Sequence, residues 1–409
     1  MRYVIIGASA AGCQAAETLR RYAPGDSITL ISDEFRPLYS RPLLTYLLSG
    51  EVSPDRIWLK EKDYFNRWGF TPLLGEAVVR VAPQSREVYL ASKKAIPYDR
   101  LLIASGARPR LPGVPGEDLE GVYTLRNLAD WQRLEAGLEG VRAVAVVGAG
   151  AVGLKAADAL ARRGLQVTLL ARGAQPLSRV LDATAASMLM QAVGAMGIDL
   201  QRYSWPVAIR GEGGKIKSLA LNHDRELPVQ AALFSVGVTA NVEFLEGTGL
   251  DDPGGIVVDG SLRSADPHIY AAGDCVQPHH LLTGEQWPYH IWPAAVDQGR
   301  VAGANLAGAG LRYRGLLPQN SLSLRGLKII SGGLGPHDAE DCQVMTELDE
   351  RRGRYRRLVY REGRLVGLTL VGDTENAGIY MQIMAQQLPV QDLAADCRGP
   401  DFHPGLLWG

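Results

Sequence analysis

Two glycine-rich segments of the chain have the spacing that cradles the pyrophosphate of a dinucleotide. The first runs from Gly7 to Gly12 with the letters GASAAG, and the second runs from Gly148 to Gly153 with the letters GAGAVG. In such a loop the first glycine makes the tight turn, the second lets the backbone approach the phosphates, and the third lets helix and strand pack closely. Backbone N–H groups and the positive end of the following helix then bind the negative charge. Each segment therefore predicts a dinucleotide site.

The first loop departs from this pattern at Ser9, which stands where the middle glycine is expected. A serine still allows some approach of the backbone, so the departure weakens the site without abolishing it. An apolar run from Tyr3 to Ile6 precedes the loop, a helical stretch from Cys13 to Tyr22 follows it, and a second apolar run covers Ser27 to Ile31. This order is typical of a βαβ unit. The alternative is a doubly wound fold that binds no dinucleotide.

The second loop has the same surroundings. An apolar strand from Ala143 to Val147 precedes it, a helix runs through Arg162, and an apolar strand from Gln166 to Leu170 follows. The repeat is a duplicated module rather than a solenoid. In the first unit, the acid expected to bind the adenosine ribose after the second strand falls on Asp33, with Glu34 next to it.

Composition and charge exclude several other classes of protein. A chain of 409 residues predicts two or three domains. Its 43 basic and 44 acidic residues give a net charge of −1, so no bulk attraction to nucleic acid or to an anionic membrane follows. The sequence contains no apolar run long enough to span a bilayer and begins directly with an apolar strand. We therefore expect a cytoplasmic protein with no nucleic-acid partner and no membrane span.

The cysteines and histidines do not form a metal site in the sequence. The cysteines are Cys13, Cys275, Cys342 and Cys397. They form no CxxC pair, so we interpret them as buried or incidental thiols rather than as a disulfide framework or a zinc site. The adjacent His279 and His280 have no HExxH context, and we expect both on a solvated loop. No metal is predicted.

Three further motifs resemble those of one flavoprotein family. They are the letters YDRLLIASG from Tyr98 to Gly106, IYAAGD from Ile269 to Asp274, and FSVG from Phe234 to Gly237. With the two loops, they resemble the pyridine nucleotide–disulfide oxidoreductase superfamily, with Ser105 in place of a threonine. The resemblance implies an α/β fold with two Rossmann-like three-layer (ββα) dinucleotide-binding domains and a C-terminal α/β domain. It also implies that FAD and NADPH or NADH are the cofactors.

The domain boundaries follow from the resemblance and from the stretch LPGVPG at 111–116, whose prolines and glycines suit a crossing between domains. The predicted domains are an FAD-binding domain at 1–111 and 238–307, an NAD(P)-binding domain at 112–237, and a C-terminal domain at 308–409.

The C-terminal domain is predicted to be a separate α/β cap. A hairpin should turn at Glu362-Gly363, and an apolar helix should follow near Ala377 to Gln386. Met381 and Met384 on that helix suit the core better than an interface. Because the family uses this domain for dimerisation or partner docking, the resemblance leaves a homodimer possible.

Two segments are more selective within the superfamily. Residues Pro37 to Pro42 read PLYSRP, and residues Ile291 to Gly299 read IWPAAVDQG. They resemble the branch of rubredoxin reductases, ferredoxin reductases and the flavin module of NAD(P)H nitrite reductase. There Arg41 would pack beside the flavin, and the helix after Trp292 would point its positive end at the flavin ring. The alternative for Trp292 is a plain core tryptophan.

The resemblance implies two sets of cofactor-binding residues. The FAD set is Gly7, Ser9, Ala10, Ala11, Gly12, Asp33, Glu34, Arg41, Pro42, Val78, Ala104, Ser105, Gly106, Arg108, Gly273, Asp274, Ile291 and Trp292. The nicotinamide dinucleotide set is Gly148, Gly150, Ala151, Val152, Gly153, Arg172 and Gly237.

The end of the second strand in the second unit bears on the coenzyme. An acid there would bind the ribose 2′-hydroxyl of NADH, but the strand ends in Ala171 and Arg172. Arg172 could form a forked contact with a 2′-phosphate, and Arg179 lies within reach of the same loop. These residues favour NADPH, with tolerance of both coenzymes or a merely exposed arginine as the alternatives.

The segment that carries the redox cysteines in disulfide reductases of the superfamily has none here. Residues Ser40 to Ser49 read SRPLLTYLLS, and a thiol relay needs a thiolate beside the flavin. The resemblance then implies hydride transfer between NAD(P)H and N5 of FAD, and electron transfer to a ferredoxin- or rubredoxin-like iron–sulfur protein. The alternatives are an electron-input subunit of a larger redox complex and an NAD(P)H-sensing flavoprotein of the apoptosis-inducing-factor type.

Lys155 and Tyr46 are the candidates for tuning the flavin. Many members of the superfamily have a glutamate two residues after the third glycine of the second loop, and in one branch it pairs with a lysine. Here the glutamate position is Lys155 and the lysine position is Tyr46. A cation near the flavin would stabilise its negatively charged reduced form and raise its potential. The alternative is a solvated helix lysine.

Overall fold

A computed structural model describes residues 1–36, 38–252, 254–286 and 290–389. Pro37 of the predicted arginine-proline segment, Cys397, and residues 390–409 of the predicted C-terminal domain lie outside the described residues. The described chain divides into two compact units. The first contains residues 1–43, 53–109 and 237–316, and the second contains residues 44–52, 110–236 and 317–389.

The elements follow in chain order. The strands are β1 (Arg2–Ile6), β2 (Ser27–Ser32), β3 (Thr71–Leu74), β4 (Val78–Ala82), β5 (Glu87–Leu90), β6 (Ala95–Pro97), β7 (Arg100–Ile103), β8 (Ala107–Pro109), β9 (Val122–Tyr123), β10 (Ala143–Val147), β11 (Gln166–Ala171), β12 (Asp199–Arg202), β13 (Pro206–Glu212), β14 (Lys215–Leu221), β15 (Arg225–Pro228), β16 (Ala231–Phe234), β17 (Val238–Ala240), β18 (Ile256–Val257), β19 (Ile269–Ala271), β20 (Val276–Gln277), β21 (Gln319–Leu324), β22 (Leu327–Gly333), β23 (Gln343–Asp349), β24 (Arg354–Arg361) and β25 (Arg364–Val371). The α-helices are α1 (Ala10–Tyr22), α2 (Leu44–Ser49), α3 (Tyr64–Trp68), α4 (Leu128–Gly137), α5 (Ala151–Arg162), α6 (Ala183–Ala195), α7 (Trp292–Leu306) and α8 (Ala377–Gln386). Single 3₁₀ turns occur at Arg41–Leu43, Pro54–Arg56, Glu243–Leu245 and Pro336–Asp338.

The first unit is built on a parallel five-stranded sheet in the order β19-β7-β1-β2-β3. A parallel sheet is covered on both faces, and its central strands are therefore apolar along most of their length. In β1 the side chains of Val4, Ile5 and Ile6 are all buried. Helices α1 and α7 and the antiparallel sheet β4-β5-β6 contribute to the same core. The predicted fold class is confirmed here.

Helices α1 and α7 approach each other closely because α7 presents glycines at the contact. A Cβ atom on Gly299 would lie 2.3 Å from the carbonyl oxygen of Ala11, and one on Gly303 would lie 2.3 Å from that of Ala15. Only a residue without a side chain fits at either position. The start of α1, which follows the first glycine loop, is thereby fixed against α7.

The second unit repeats the layered arrangement on a parallel sheet in the order β12-β11-β10-β16-β9. Side chains along a strand point to alternate faces. In β10, Val144 and Val146 join the core formed with α4, α5 and α6, whereas Ala145 and Val147 join the core formed with the antiparallel sheet β13-β14-β15. The second predicted three-layer unit is confirmed.

The C-terminal part is an antiparallel sheet in the order β21-β22-β25-β24-β23 with α8 packed on it. The predicted hairpin turn at Glu362-Gly363, the predicted helix and the core position of Met384 are confirmed. Leu322 and Tyr355 of this sheet belong to the same core as α5 and α6. The sheet therefore shares a core with the inserted domain, which the prediction of a separate cap did not anticipate.

Helix α2 packs in the second unit, although the strands before and after it in the chain belong to the first. Leu48 is buried in the core with α4 and α5, and its carbonyl oxygen accepts a hydrogen bond from Nη1 of Arg163 at 3.3 Å. This packing brings Tyr46 to α5. Among the described residues, no helix combines the length and apolar character that crossing a membrane requires.

Candidate functional site

The first glycine loop has the geometry that only glycine allows. Gly7 has φ of +109°, and its N–H donates to the carbonyl oxygen of Ile31 at 2.7 Å. A Cβ atom on Gly7 would lie 2.1 Å from the carbonyl oxygen of Ala104, and one on Gly12 would lie 1.8 Å from that of Gly7. The backbone thus turns tightly into α1, leaving the first N–H groups of the helix for an anion. This cradle fits the pyrophosphate of FAD.

Ser9, which replaces the middle glycine, begins α1 and contacts a fixed cation. Its Oγ accepts a hydrogen bond from Nε of Arg41 at 3.3 Å. Arg41 also forms an ion pair with Glu34, whose Oε2 accepts from the Tyr39 hydroxyl at 2.7 Å. Burial is the largest single effect and opposes the charge on Arg41, but Glu34, Tyr39 and Asp274 together raise the pKa of the guanidinium above its ordinary value. The loop therefore has a permanent positive charge beside it.

Asp33 and Glu34, the predicted ribose acids, differ in their surroundings. Asp33 is exposed directly after β2, whereas Glu34 is half-buried and engaged by Arg41. Ala10 and Ala11 are buried in the first turn of α1. Pro42 lies exposed in a 3₁₀ turn, and Val78 is half-buried at the start of β4.

The end of β7 is tied to the chain segment that follows β17. The Ser105 hydroxyl donates to the carbonyl oxygen of Asn241 at 2.7 Å, and the Asn241 amide donates back to the carbonyl of Ser105 at 3.0 Å. Arg108 donates to Oδ1 of Asn241 at 3.3 Å and forms an ion pair with Glu243. Gly106, which follows Ser105 in the chain, has φ of +69°.

Gly273 and Asp274 are held from the side of α7. The Gly273 N–H donates to Oε1 of the buried Gln298 at 2.7 Å, and Asp274 lies 4.0 Å from Nδ1 of His290. Ile291 caps α7, and Trp292 at its first position is half-buried against the core of the first unit. The sequence analysis missed Gln298, because a glutamine inside a helix carries no signal of what it contacts.

The second glycine loop reproduces the first. Gly148 has φ of +109°, and its N–H donates to the carbonyl oxygen of Leu170 at 2.9 Å. A Cβ atom on Gly148 would lie 2.3 Å from the carbonyl oxygen of Ser235, and one on Gly153 would lie 1.9 Å from that of Gly148. Gly150 begins α5, so this helix also presents its first N–H groups to an anion.

The remaining predicted residues of the second site lie at the start of α5, directly after β11, and shortly after β16 in the chain. Ala151 and Val152 form the first turn of α5, and the side chain of Val152 is exposed. Arg172 is exposed directly after β11, with its guanidinium carbon 5.8 Å from the ring centroid of Trp205. Gly237 has φ of +105°. Trp205 had not been singled out from the sequence, since it lies 33 positions beyond Arg172.

Lys155 and Tyr46 are brought together in the second unit. Nζ of Lys155 lies 2.5 Å from the Tyr46 hydroxyl and 3.9 Å from the centroid of its ring. Both side chains are half-buried. The lysine is therefore a positioned cation rather than a solvated one.

The cysteines Cys13, Cys275 and Cys342 of the described chain are free. Cys13 donates its S–H to the carbonyl oxygen of Ala8 at 3.2 Å, and burial raises the pKa of its thiol to about 12. Burial also raises the pKa of the Cys275 thiol, which lies 3.4 Å from the carbonyl oxygen of Ile103. Since the thiolate is the reactive form, neither group suits a thiol relay.

The histidine pair is only partly on a solvated loop. His279 is exposed, but His280 is buried, and its Nδ1 accepts a hydrogen bond from the N–H of Leu282 at 3.1 Å. The prediction was wrong for His280, because the short loop folds back and the ring satisfies a backbone donor. The described residues contain no cluster of three or more His, Cys, Asp or Glu side chains that could hold a metal ion.

Comparison with known proteins extends these observations. The sequence profile of the pyridine nucleotide-disulphide oxidoreductase family matches residues 1–299, and that of the rubredoxin NAD+ reductase C-terminal domain matches residues 318–388. Rhodocoxin reductase of Rhodococcus erythropolis is 34% identical over 320 residues, which are 77% of this chain and 74% of that protein.

A longer relative and a solved structure cover nearly all of the chain. The assimilatory nitrate reductase electron transfer subunit of Bacillus subtilis is 28% identical over 98% of this chain, but the match spans 52% of that protein, about half its length. A ferredoxin reductase from Rhodopseudomonas palustris superposes with a TM-score of 0.91 at 27% identity, covering 100% of both chains. The chain therefore belongs to the pyridine nucleotide-disulphide oxidoreductase family, whose cofactors, FAD and NADPH or NADH, its two glycine loops fit.

Proposed function

We propose that this chain is a flavin-dependent NAD(P)H:acceptor oxidoreductase that exchanges electrons with an iron–sulfur protein of the ferredoxin or rubredoxin class. The observation that carries the proposal is two glycine loops of the same geometry, together with the absence of any cysteine from residues 40–49, the segment in which a disulfide reductase carries its redox pair. The names of the relatives, a rhodocoxin reductase and a ferredoxin reductase, support the same class of acceptor. Either direction of electron flow fits this site.

The first unit is proposed to bind FAD, which when bound supplies the conversion between two-electron and one-electron transfer. The N–H groups at the start of α1 bind the pyrophosphate, and Arg41 balances its charge. The carboxylate of Glu34 or Asp33 binds the adenosine ribose. Asp274, oriented by the bond between Gln298 and Gly273, binds the ribityl end. The other residues of the predicted FAD set complete the pocket as proposed contacts.

The second unit is proposed to bind the nicotinamide coenzyme at the start of α5. Gly148, Gly150 and Gly153 admit the pyrophosphate, and Arg172 binds a 2′-phosphate, so NADPH is the preferred coenzyme. Lys155, held by Tyr46, is the proposed cation that stabilises negative charge at the reacting ring.

The wider assignments rest on the same proposal. The FAD-binding domain is proposed at 1–111 and 238–307, and the NAD(P)-binding domain at 112–237. The domain at 308–409 is proposed to dock the acceptor or a second copy of the chain, with the rubredoxin NAD+ reductase C-terminal match in support. A cytoplasmic location is also proposed.

Anaerobic mixing of the oxidised holoprotein with NADPH or NADH tests the function. The flavin absorbance is expected to bleach within seconds, faster with NADPH, and to recover when oxidised ferredoxin or rubredoxin is added. Reduction by dithionite is the control, because it shows that the bound flavin can accept electrons. Bleaching by dithionite but by neither coenzyme contradicts the proposal. Bleaching without recovery contradicts the proposed acceptor class.

A further inference from the structure

Trp205 is an exposed tryptophan that lies against an arginine at the coenzyme end of the second unit. It follows β12, is 37% exposed, and has its ring centroid 5.8 Å from the guanidinium carbon of Arg172. This distance is within the range of a cation–π contact. The ring of His223 lies on the same tryptophan with a centroid distance of 6.4 Å. The tryptophan thus lies at the surface in contact with both an arginine and a histidine.

The backbone fixes the ring beside Arg172. The N–H of Ser204 donates to the carbonyl of Ala171 at 3.0 Å, so the loop after β12 is bonded to the end of β11. The buried Asn222 accepts from the N–H of Trp205 at 3.0 Å and donates to the carbonyl of Tyr203 at 2.9 Å. Hydrogen bonds therefore hold the loop that carries Trp205. Because this loop is bonded to the end of β11, it lies beside Arg172, which follows β11 directly.

Two further arginines near this loop donate hydrogen bonds to neutral groups. Arg225 donates to the Ser204 hydroxyl at 2.6 Å, and Arg202 donates to the carbonyl of Ala174 at 3.5 Å. Among the residues that the structure describes, the Arg172 guanidinium contacts an aromatic ring and forms no hydrogen bond or ion pair, so its N–H groups are available. An anion that arrives beside β11 thus meets cations whose charge is not cancelled by these partners.

We propose that Trp205 is a positioning residue that orients Arg172 toward the 2′-phosphate and so sets the preference of this protein for NADPH over NADH. The inference rests on the proposed function and deepens it. A free arginine side chain loses much rotamer entropy when it is clamped on a ligand. The contact with Trp205 removes part of that loss before the coenzyme binds. NADH carries no 2′-phosphate, so its binding should not depend on the tryptophan.

The test compares Trp205→Leu with Trp205→Phe, and uses Tyr203→Leu, an exposed ring on the same loop, as the matched control. Dissociation constants of adenosine 2′,5′-bisphosphate and adenosine 5′-monophosphate are measured by calorimetry on the oxidised holoprotein. KM and kcat for NADPH and NADH are measured with ferricyanide as acceptor. Trp205→Leu should raise the dissociation constant of the bisphosphate and the KM for NADPH about fivefold, with kcat unchanged. The dissociation constant of adenosine 5′-monophosphate and the KM for NADH should also stay unchanged, because neither compound carries a 2′-phosphate.

Further outcomes decide the inference. Trp205→Phe should restore most of the affinity, and Trp205→Leu should have no added effect in an Arg172→Gln background. Equal losses for both coenzymes, the same loss in Tyr203→Leu, additive losses in the double variant, or a wild-type protein that does not use NADPH each overturn it. The proposed function is judged separately on the wild-type protein, by reduction of the flavin with either coenzyme and by its reoxidation with ferredoxin or rubredoxin, whatever the variants do.

Discussion

At the scale of single residues, the contact between Lys155 and Tyr46 is the one to which we assign the proposed tuning of the flavin. Nζ of Lys155 lies 2.5 Å from the Tyr46 hydroxyl, and both side chains are half-buried. A solvated lysine would move freely and be screened by water, whereas a hydrogen-bonded, partly desolvated one is a fixed charge. A fixed charge stabilises a developing negative charge without having to reorganise first.

Removal of this cation should lower the midpoint potential of the bound flavin. We expect Lys155→Met to lower it by about 30 mV, equivalent to about 1.4 kcal/mol for two electrons, because negative charge loses its stabilising partner. Lys155→Arg should retain most of the potential, and Tyr46→Phe should show a smaller drop. The measurement is a reductive titration against reference dyes, with the exposed Lys215→Met as control. An unchanged potential in Lys155→Met contradicts the proposed role.

The buried cysteines give a second prediction at this scale. Burial raises the pKa of Cys13 to about 12, so its thiol stays protonated and unreactive at pH 8. Cys13 and Cys275 should therefore resist Ellman's reagent until the protein is unfolded, and the variant Cys13→Ala/Cys275→Ala should turn over at the wild-type rate. Fast labelling of either thiol in the native holoprotein, or loss of NADPH-driven ferricyanide reduction in the variant, would argue for a thiol relay.

The raised pKa of Cys13 also has a consequence for stability. The unfolded thiol titrates at about 8.5, and the folded thiol titrates at about 12. The contribution of the folded thiol to stability is complete below the unfolded value and is lost as pH rises through the folded one. Urea unfolding at pH 7 and pH 10 should therefore show a decrease in stability that is smaller in Cys13→Ala.

At the scale of elements, the close packing of α1 and α7 should be necessary for retaining FAD. In Gly299→Ala the new Cβ would lie 2.3 Å from the carbonyl oxygen of Ala11, in the first turn of α1. The helices must separate, at a cost of about 1–3 kcal/mol, and the start of α1 shifts with them. We expect a lower melting temperature and a weaker affinity for FAD, followed by flavin fluorescence on heating.

The matched control for that substitution is Gly194→Ala in α6. Nothing lies within 4 Å of a Cβ atom built there, and alanine is the better helix former by about 1 kcal/mol. Gly194→Ala should therefore be neutral or stabilising with full FAD content. If Gly299→Ala retains FAD as tightly as Gly194→Ala does, the close approach has no bearing on the cofactor site.

The elements could largely be predicted from the sequence because their signals are local. Strand, glycine loop and helix follow one another within about 30 residues in a βαβ unit, and the glycines mark turns that other residues cannot make. The contacts that position the site are not local. Gln298 bonds to Gly273, Trp205 contacts Arg172, and α2 packs in the second unit. No pattern in the sequence encodes which distant side chain completes such a contact.

At the scale of the whole molecule, the C-terminal sheet belongs energetically to the second unit. Its Leu322 and Tyr355 share a core with α5 and α6. The buried carboxylate of Asp158 on α5 accepts hydrogen bonds from Nε of Arg162 at 3.0 Å and from Nε of Arg325, in the turn between β21 and β22, at 2.8 Å. The inserted domain and the sheet should therefore unfold together.

Replacing Asp158 by asparagine tests this coupling. The substitution removes the charged partner that Arg162 and Arg325 share, while Arg162 keeps its ion pair with Glu51, at a cost of about 1–3 kcal/mol in the unfolding of the second unit. Hydrogen exchange in urea should show α5, β21 and β22 losing protection together and earlier than in the wild type, while α1 and α7 keep theirs. Asp297→Asn, which removes an exposed pair with Arg300, should cost under about 1 kcal/mol. If the amides of the C-terminal sheet in the wild-type protein lose protection at lower urea than those of α5, the shared core does not couple the two. Docking of a partner at that sheet could then change without any effect on the coenzyme loop.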